Sequence, residues 1–369
     1  MWKKPEYTKR EINEAGLTII NPDATAEQYD RALAVIDNWR TAHAYPMHTF
    51  AVNLKRKVAD IEGSIVAQRL KRLDTICGKL IRYPTMNLYR IQDLGGCRVI
   101  VPTVADVYKV KDRLEKSRIR HEPKPFKDYI QSPKPDTGYR GIHLIYKYKS
   151  DKNPDFNGLL VEIQIRSKLQ HLWATAVETV GVFTGNGLKF NQGEEDWLYF
   201  FRLVSALFAT EEGTPLGGDV PQTLSKLLDT LDTLEKKLNA IDKMHTIGIV
   251  TESVGHVAKH QVNGYYLLML DMDKQTVSVL PFSGNEKGLD AATTAYNAFE
   301  RQKTAKQDAV LVSAESYEAL VDAYPNYFAN IHEFVIQYYK LSAKYYEILT
   351  KQIEKENQLL RELIARSEQ

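Results

Sequence analysis

Apolar residues recur at helical spacing through the first part of the chain. Behind the helix-start cluster Asn21-Pro22-Asp23-Ala24-Thr25, the residues Tyr29, Leu33, Ile36 and Trp39 follow three or four apart until Pro46. The same spacing predicts helices over 47–62 and 67–82. From residue 97 the period shortens: Cys97-Arg98-Val99-Ile100-Val101 reads as a strand, 104–117 as a helix, and Gly141–Tyr148 and Leu159–Arg166 as two more strands. Residues up to about 180 turn helical again. Two long amphipathic segments, 194–210 and 220–243, then flank the breaker cluster Gly213-Thr214-Pro215-Leu216-Gly217-Gly218, a candidate linker. A second αβ set follows, with a strand at 246–250, a hairpin of Tyr265–Leu270 and Thr276–Pro281, a helix from 289, the strand Ala309–Val312 and a helix from 315. From about 328 one long helix is predicted. Its apolar positions Leu341, Ile348, Leu349, Ile353, Leu360 and Ile364 call for a surface to pack on.

This order predicts an α+β protein, a mixed β-sheet flanked by helices, with a small αβ domain and a long helix towards the C-terminus. The expected division is a helical segment over 1–66, a mixed-sheet domain with trailing helices over 67–215, and a C-terminal domain over 216–369. A length of 369 residues suits two or three domains, and 43% hydrophobic with 26% charged residues is enough to bury a full core. Lys+Arg 49 against Asp+Glu 47 leaves +2, so any site for a polyanion depends on local clustering of charge. The two cysteines, Cys77 and Cys97, cannot make a disulfide framework or a four-cysteine zinc site, which fits the reducing cytoplasm. No run approaches the ~18–20 apolar residues of a membrane span, and the polar N-terminus has no secretory core, so no membrane partner is expected.

There is no Gly-x-x-x-x-Gly-Lys-Ser/Thr loop and no Gly-x-Gly-x-x-Gly after a strand, so side chains must hold any triphosphate. His256 and His260 have helical ligand spacing but no third ligand near them in sequence. The middle of the chain is richer. Arg69, Lys71, Lys79 and Arg82 recur along one predicted helical stretch, Asp93 precedes the strand that begins near Arg98, and Pro125-Phe126-Lys127-Asp128-Tyr129 forms a basic loop. Gly138-Tyr139-Arg140-Gly141-Ile142-His143 leads into a strand. In the strand Leu159–Arg166, Val161, Ile163 and Ile165 alternate with Glu162, Gln164 and Arg166, so three polar groups share one face. Each feature alone has an ordinary reading: the wet face of a helix, a cap or turn aspartate, a half-buried aromatic, or the solvated side of an edge strand.

Together and in this order they resemble the synthetase domain of the RelA/SpoT homologue family, over about Arg69 to Glu178. The motifs are Arg69-x-Lys71 with Thr75-Ile-x-x-Lys79, Ile-x-Asp93-Leu-x-Gly-x-Arg98, Phe-Lys127-Asp-Tyr-Ile, Pro-Lys134-x-x-x-Gly-Tyr139-x-x-x-His143, and Glu162-Ile-Gln164-Ile-Arg166. The resemblance implies a nucleotidyltransferase-like fold and a pyrophosphokinase that moves pyrophosphate from ATP to a ribose 3′-hydroxyl. Arg69, Lys71, Thr75, Lys79, Arg98 and Lys127 would serve the ATP donor, and Asp93 with Glu162 would bind Mg²⁺. Glu162 would also take the proton of the attacking hydroxyl. Lys134, Tyr139, His143, Gln164 and Arg166 would serve the acceptor, with Tyr139 stacking on its base. Thr75 stands where the family usually has serine, and Pro125 where many members carry a charge.

Two acceptors fit the resemblance: GDP or GTP, giving (p)ppGpp, or the 3′ CCA end of tRNA, as in the toxic small alarmone synthetases that stop translation. The basic residues Lys55, Arg56, Lys57 and Arg82 are candidate contacts for a nucleic-acid backbone. The two-part layout also resembles the fused toxin–antitoxin proteins of the CapRel type, which act in phage defence. In these the C-terminal region masks the active site and senses a phage capsid protein. Tyr324-Pro325-Asn326-Tyr327 would place two autoinhibitory rings, Tyr324 and Tyr327, in the adenine site; the alternative is a turn between helices with two core tyrosines.

Overall fold

The computed structural model describes residues 2–183, 194–244, 264–271, 274, 276–304, 307–314, 317–324 and 331–367. The strand expected at 246–250, the His256/His260 pair and Tyr327 lie outside them. Helix α1 (Lys9–Thr18) opens on a capping box in which Thr8 and Glu11 satisfy each other's backbone N–H. Helix α2 (Ala26–Ala42) does the same with Thr25 and Gln28, where the sequence signals a helix start. Helix α3 (Ala44–Val58) carries Pro46 in its first turn, where a missing N–H leaves no bond unmade. Pro46 therefore belongs to the start of the second helix as much as to the end of the first.

The helix expected over 67–82 is corrected: it begins only at Leu73. Residues Ile65–Leu70 form strand β1, and helix α4 covers Leu73–Arg82. Arg69 is thus a strand residue. Strand β1 pairs along its whole length with β2 (Gly95–Val101), and that pairing outweighs the local helical pattern. Helix α5 (Val104–Glu115), capped by Thr103, leads through the short strands β3 (Glu122–Pro123) and β4 (Lys127–Asp128) to β5 (Ile142–Lys147) and β6 (Leu160–Ser167). Helices α6 (Lys168–Phe183), α7 (Glu194–Glu212) and α8 (Leu224–Leu238) follow. Strands β7 (Gly264–Asp271) and β8 (Thr276–Ser283), helix α9 (Glu286–Gln302), strand β9 (Gln307–Ala314), helix α10 (Tyr317–Ala323) and helix α11 (His332–Ser367) complete the order.

The nine strands among the described residues belong to one sheet in the order β3-β5-β6-β2-β1-β9-β7-β8, with β4 beside β5. Strands β2 and β6 run parallel, and β1 beside β2, β5 beside β6 and β9 beside both β1 and β7 run antiparallel, so the sheet is mixed as expected. The second αβ set does not stand apart. Its strand β9 pairs with β1 at Gln68↔Ser313 and Arg69↔Val312, which makes the two strand groups continuous. Ion pairs Arg72–Asp308 and Lys303–Asp74 flank that joint. Helix α9 packs Leu289, Ala292 and Tyr296 on Tyr265, Leu267, Ala309 and Leu311 of the sheet, and the buried Arg40 of α2 lies 4.3 Å from the Tyr296 ring.

The chain divides into two compact units, one of residues 1–127, 141–168 and 250–328, the other of 128–140, 169–249 and 329–369. Neither boundary expected from the sequence, 66/67 or 215/216, coincides with them. In the second unit α7, α8 and α11 share an apolar core that includes Trp173, Phe200, Phe201, Phe208, Leu227, Leu231, Phe334 and Tyr338. The Gly213–Gly218 cluster joins α7 to α8 inside that unit, so it is a turn between packed helices and not a linker between domains.

Candidate active site

Register in the first unit sets the site. Arg69 of β1 lies opposite Gly96 of β2, which lies opposite Glu162 of β6; one step along, Arg98 is level with Gln164 and Gln164 with His143 of β5. With a side-chain period of two, Arg69, Arg98, His143, Glu162 and Gln164 therefore share one face. Val161, Ile163 and Ile165 are fully buried on the other. A small cavity of about 30 Å³ on the polar face is lined by Arg69, Lys71, Asp93, Gly96, Cys97, Arg98, Glu162, Gln164 and Tyr324.

Asp93 sits between two ammonium groups, with Lys71 Nζ at 2.7 Å from Oδ2 and Lys79 Nζ at 3.0 Å from Oδ1. Lys71 is placed by the end of β1 and Lys79 by α4, so the strand-to-helix change at residues 71–72 aims both at one carboxylate. Burial alone would raise the Asp93 carboxyl, but the two lysines outweigh it and lower it to about 2. Burial lowers the Lys71 ammonium, a shift that Asp93 only partly offsets.

Glu162 is equally constrained. His143 Nδ1 lies 2.9 Å from Oε1, Gln164 Nε2 donates to Oε2 at 2.7 Å, and Arg166 Nη2 donates to Gln164 Oε1 at 3.1 Å. Burial works to raise the Glu162 carboxyl, yet His143 outweighs it and holds the group below the usual carboxylate range, while the nearby charge of Asp93 pushes it up. The two acidic groups, 69 positions apart in sequence, thus feel each other across one cavity. His143, expected to steady acceptor or donor phosphates, lies against Glu162 at a strand position level with Gln164.

Arg98 Nη1 donates to the Ala323 carbonyl at 2.8 Å, and its guanidinium lies 5.4 Å from the centroid of the Tyr324 ring, itself only 1% exposed. Thr75 is exposed on α4 one turn before Lys79, and Lys127 is exposed on β4; neither lines the cavity. Of the basic cluster on α3, Lys57 is tied to the Arg113 carbonyl at 2.8 Å. Lys134 and Tyr139 belong to the second unit. There Lys134 Nζ lies 4.9 Å from the Tyr129 ring and 5.3 Å from the Tyr139 ring, and Tyr139 meets Trp173 at 6.4 Å. Arg140, not singled out in the sequence, anchors this loop: buried, it donates to Ser205 Oγ and the Leu216 carbonyl, both at 2.9 Å, and burial lowers it to about 10. Gly138 before it holds φ +79°, with Arg202 Cα and Ser205 Cβ where a side chain would begin.

Among the described residues no group of three or more His, Cys, Asp or Glu side chains gathers to hold a metal. No described helix is long and apolar enough to cross a membrane.

Residues 68–180 match the family model described as the region found in RelA / SpoT proteins. GTP pyrophosphokinase YwaC of Bacillus subtilis is 27% identical over 168 residues, which is 42% of this chain and 79% of that protein. GTP pyrophosphokinase YjbM of the same organism is 32% identical over 124 residues, 33% of this chain and 58% of YjbM. Among solved structures, small alarmone synthetase 1 from Bacillus subtilis bound to its product pppGpp aligns with a TM-score of 0.39 at 24% identity, covering 51% of this chain and 95% of that one.

Proposed function

We propose, from the premise that residues 68–180 form a RelA/SpoT-type synthetase domain, that the chain is an ATP-dependent pyrophosphokinase acting on a ribose 3′-hydroxyl. The observation that carries this reading is the convergence of Asp93 and Glu162 on one cavity beside Arg69, Lys71 and Arg98. The 3′-oxygen attacks the β-phosphorus of ATP, the bond from that phosphorus to the oxygen bridging to the α-phosphate breaks, and AMP leaves with its electron pair. Glu162, oriented by His143 and Gln164, accepts the hydroxyl proton. Arg69, Lys71, Lys79 and Arg98 offset the charge spread over the transferring group. Two carboxylates without a third protein ligand fit Mg²⁺, which keeps waters and substrate phosphates in its shell. When bound it would polarise the phosphate oxygens, held by Asp93 and Glu162.

The names of YwaC and YjbM favour GDP or GTP as acceptor. A second reading, transfer to the 3′ CCA end of tRNA by a self-restrained toxin–antitoxin in phage defence, is favoured by Tyr324 in the cavity wall. A space of about 30 Å³ is far below what a nucleotide needs, so ATP is excluded while Tyr324 and Ala323 hold Arg98. On this reading the C-terminal region is the sensor, and a phage capsid protein binding there is the trigger. Incubating the whole chain with γ-labelled ATP, Mg²⁺ and either GDP/GTP or tRNA tests both. Label in guanine nucleotides alone rejects the tRNA reading, and label in neither, with or without Tyr324→Ala, rejects the enzyme.

A further inference from the structure

We propose that helix α11 is a self-association surface, on which a second copy of this chain lays its own α11 in antiparallel orientation. This rests on the C-terminal helix alone and stands whatever the catalytic site does. The first half of α11 buries Phe334, Val335, Tyr338, Leu341 and Tyr345 in the core of the second unit. From Thr350 to Ser367 every residue is exposed. That stretch rises about 27 Å at 1.5 Å per residue, and an unsupported helix of this length is marginal in water.

Yet the exposed half is not polar. Ile353, Leu359, Leu360, Leu363 and Ile364 are each between 50% and 58% exposed. At about 100° per residue Leu349, Ile353, Leu360, Leu363 and Ile364 fall within one arc of about 100°, with Leu359 at its edge, while Lys351, Glu354, Lys355 and Glu362 lie behind it. A stripe of this width is one that a helix buries against an apolar neighbour.

The occupant follows from the symmetry of the stripe. Leu349 and Ile364 are equidistant from the midpoint between Glu356 and Asn357, and so are Ile353 and Leu360. Two copies running antiparallel about that point set Ile353 against the partner's Leu360 and bring the partner's Ile364 to the open side of Leu349, which is half-buried on its own core, and the twofold repeats both pairs. An isologous interface requires this self-match, and an unrelated partner gives no reason for it. The four half-exposed aliphatic side chains inside the arc on each copy, at roughly 90 Å² apiece, cover about 700 Å² of apolar surface, the size of a weak, concentration-dependent interface. Glu356 is the one charge inside the stripe and sits next to the twofold, where it opposes association unless it meets the partner's Asn357.

Sedimentation equilibrium of the full chain between about 1 and about 50 μM covers the range expected of a small interface. A concentration-dependent monomer–dimer equilibrium is expected. Leu360→Glu, at an exposed position that leaves the fold intact, should weaken it by at least about 30-fold, and Glu356→Leu should tighten it about tenfold. Orientation is read by oxidation: a mixture of Ile353→Cys and Leu360→Cys chains should form the mixed disulfide, whereas Ile353→Cys alone should not couple to itself. A monomer at 50 μM, a Leu360→Glu chain that dimerises like the parent, or self-coupling of Ile353→Cys alone each overturns the proposal. Binding of the monomer through this stripe to lipid vesicles or to a different protein does so too.

Discussion

Replacing Tyr324 by alanine should switch on basal activity if the ring restrains the catalytic cavity. Arg98 is buried and its guanidinium lies 5.4 Å from the Tyr324 ring centroid, a desolvated cation–π contact of about 2 kcal/mol. The Ala323 carbonyl bond to Arg98 survives the substitution, so only the ring's share is lost. At 1.4 kcal/mol per factor of ten, the fraction of molecules with Arg98 free for ATP should rise by about 10- to 30-fold. Initial rates with γ-labelled ATP on the full chain, at ATP well below saturation, should rise by that factor. The rise should shrink as ATP approaches saturation, because the restraint competes with the donor. Tyr324→Phe keeps the ring and should stay within about threefold of the parent chain. A Tyr324→Ala chain that melts at the parent temperature and shows the parent rate at every ATP concentration refutes the restraint.

Glu162→Gln should retain the fold, and its transfer rate should drop about 10²- to 10⁴-fold, the usual share of a general base, as followed in the labelled-ATP assay. Asp93 bears on stability: its carboxyl falls from the ordinary 3.8 to about 2 in the folded chain, so its contribution of roughly 2 kcal/mol is complete above pH 4 and lost as pH falls towards 2. Denaturant titrations of Asp93→Asn should therefore show lower stability at neutral pH and a flatter decline over that acid range; an unchanged acid slope contradicts the assignment. Gly138→Ala meets Arg202 Cα and Ser205 Cβ at 3.2 Å with φ +79°. It should cost about 1–2 kcal/mol, visible by calorimetry as a midpoint lower by about 2–5 °C.

The mixed sheet and the alternation around Glu162 were legible because a period of two survives any tertiary context that buries one face. Residues 65–72 were not. Ile65-Val66-Ala67-Gln68-Arg69-Leu70 is short, and its apolar residues satisfy a helical template almost as well as a strand; pairing with β2 and β9, set by residues far along the chain, decides between them. The same limit hides the continuity of the sheet, which rests on two register pairs between Gln68-Arg69 and Val312-Ser313. Asp93 and Glu162 could be named as a pair only through the family resemblance, since nothing local links them. Arg140 shows the opposite case. It lay inside a recognised motif, yet its role in fixing the loop depends on Ser205 and Leu216, which no spacing rule brings near it.

Strand β9 covers the hydrogen-bonding edge of β1 at Gln68 and Arg69. Any shortened chain ending near residue 215 would leave that edge open beside the Asp93–Glu162 cavity, ready to recruit a neighbour and precipitate. Deletion is thus a poor test of restraint at that cavity, and a single altered ring is the cleaner one.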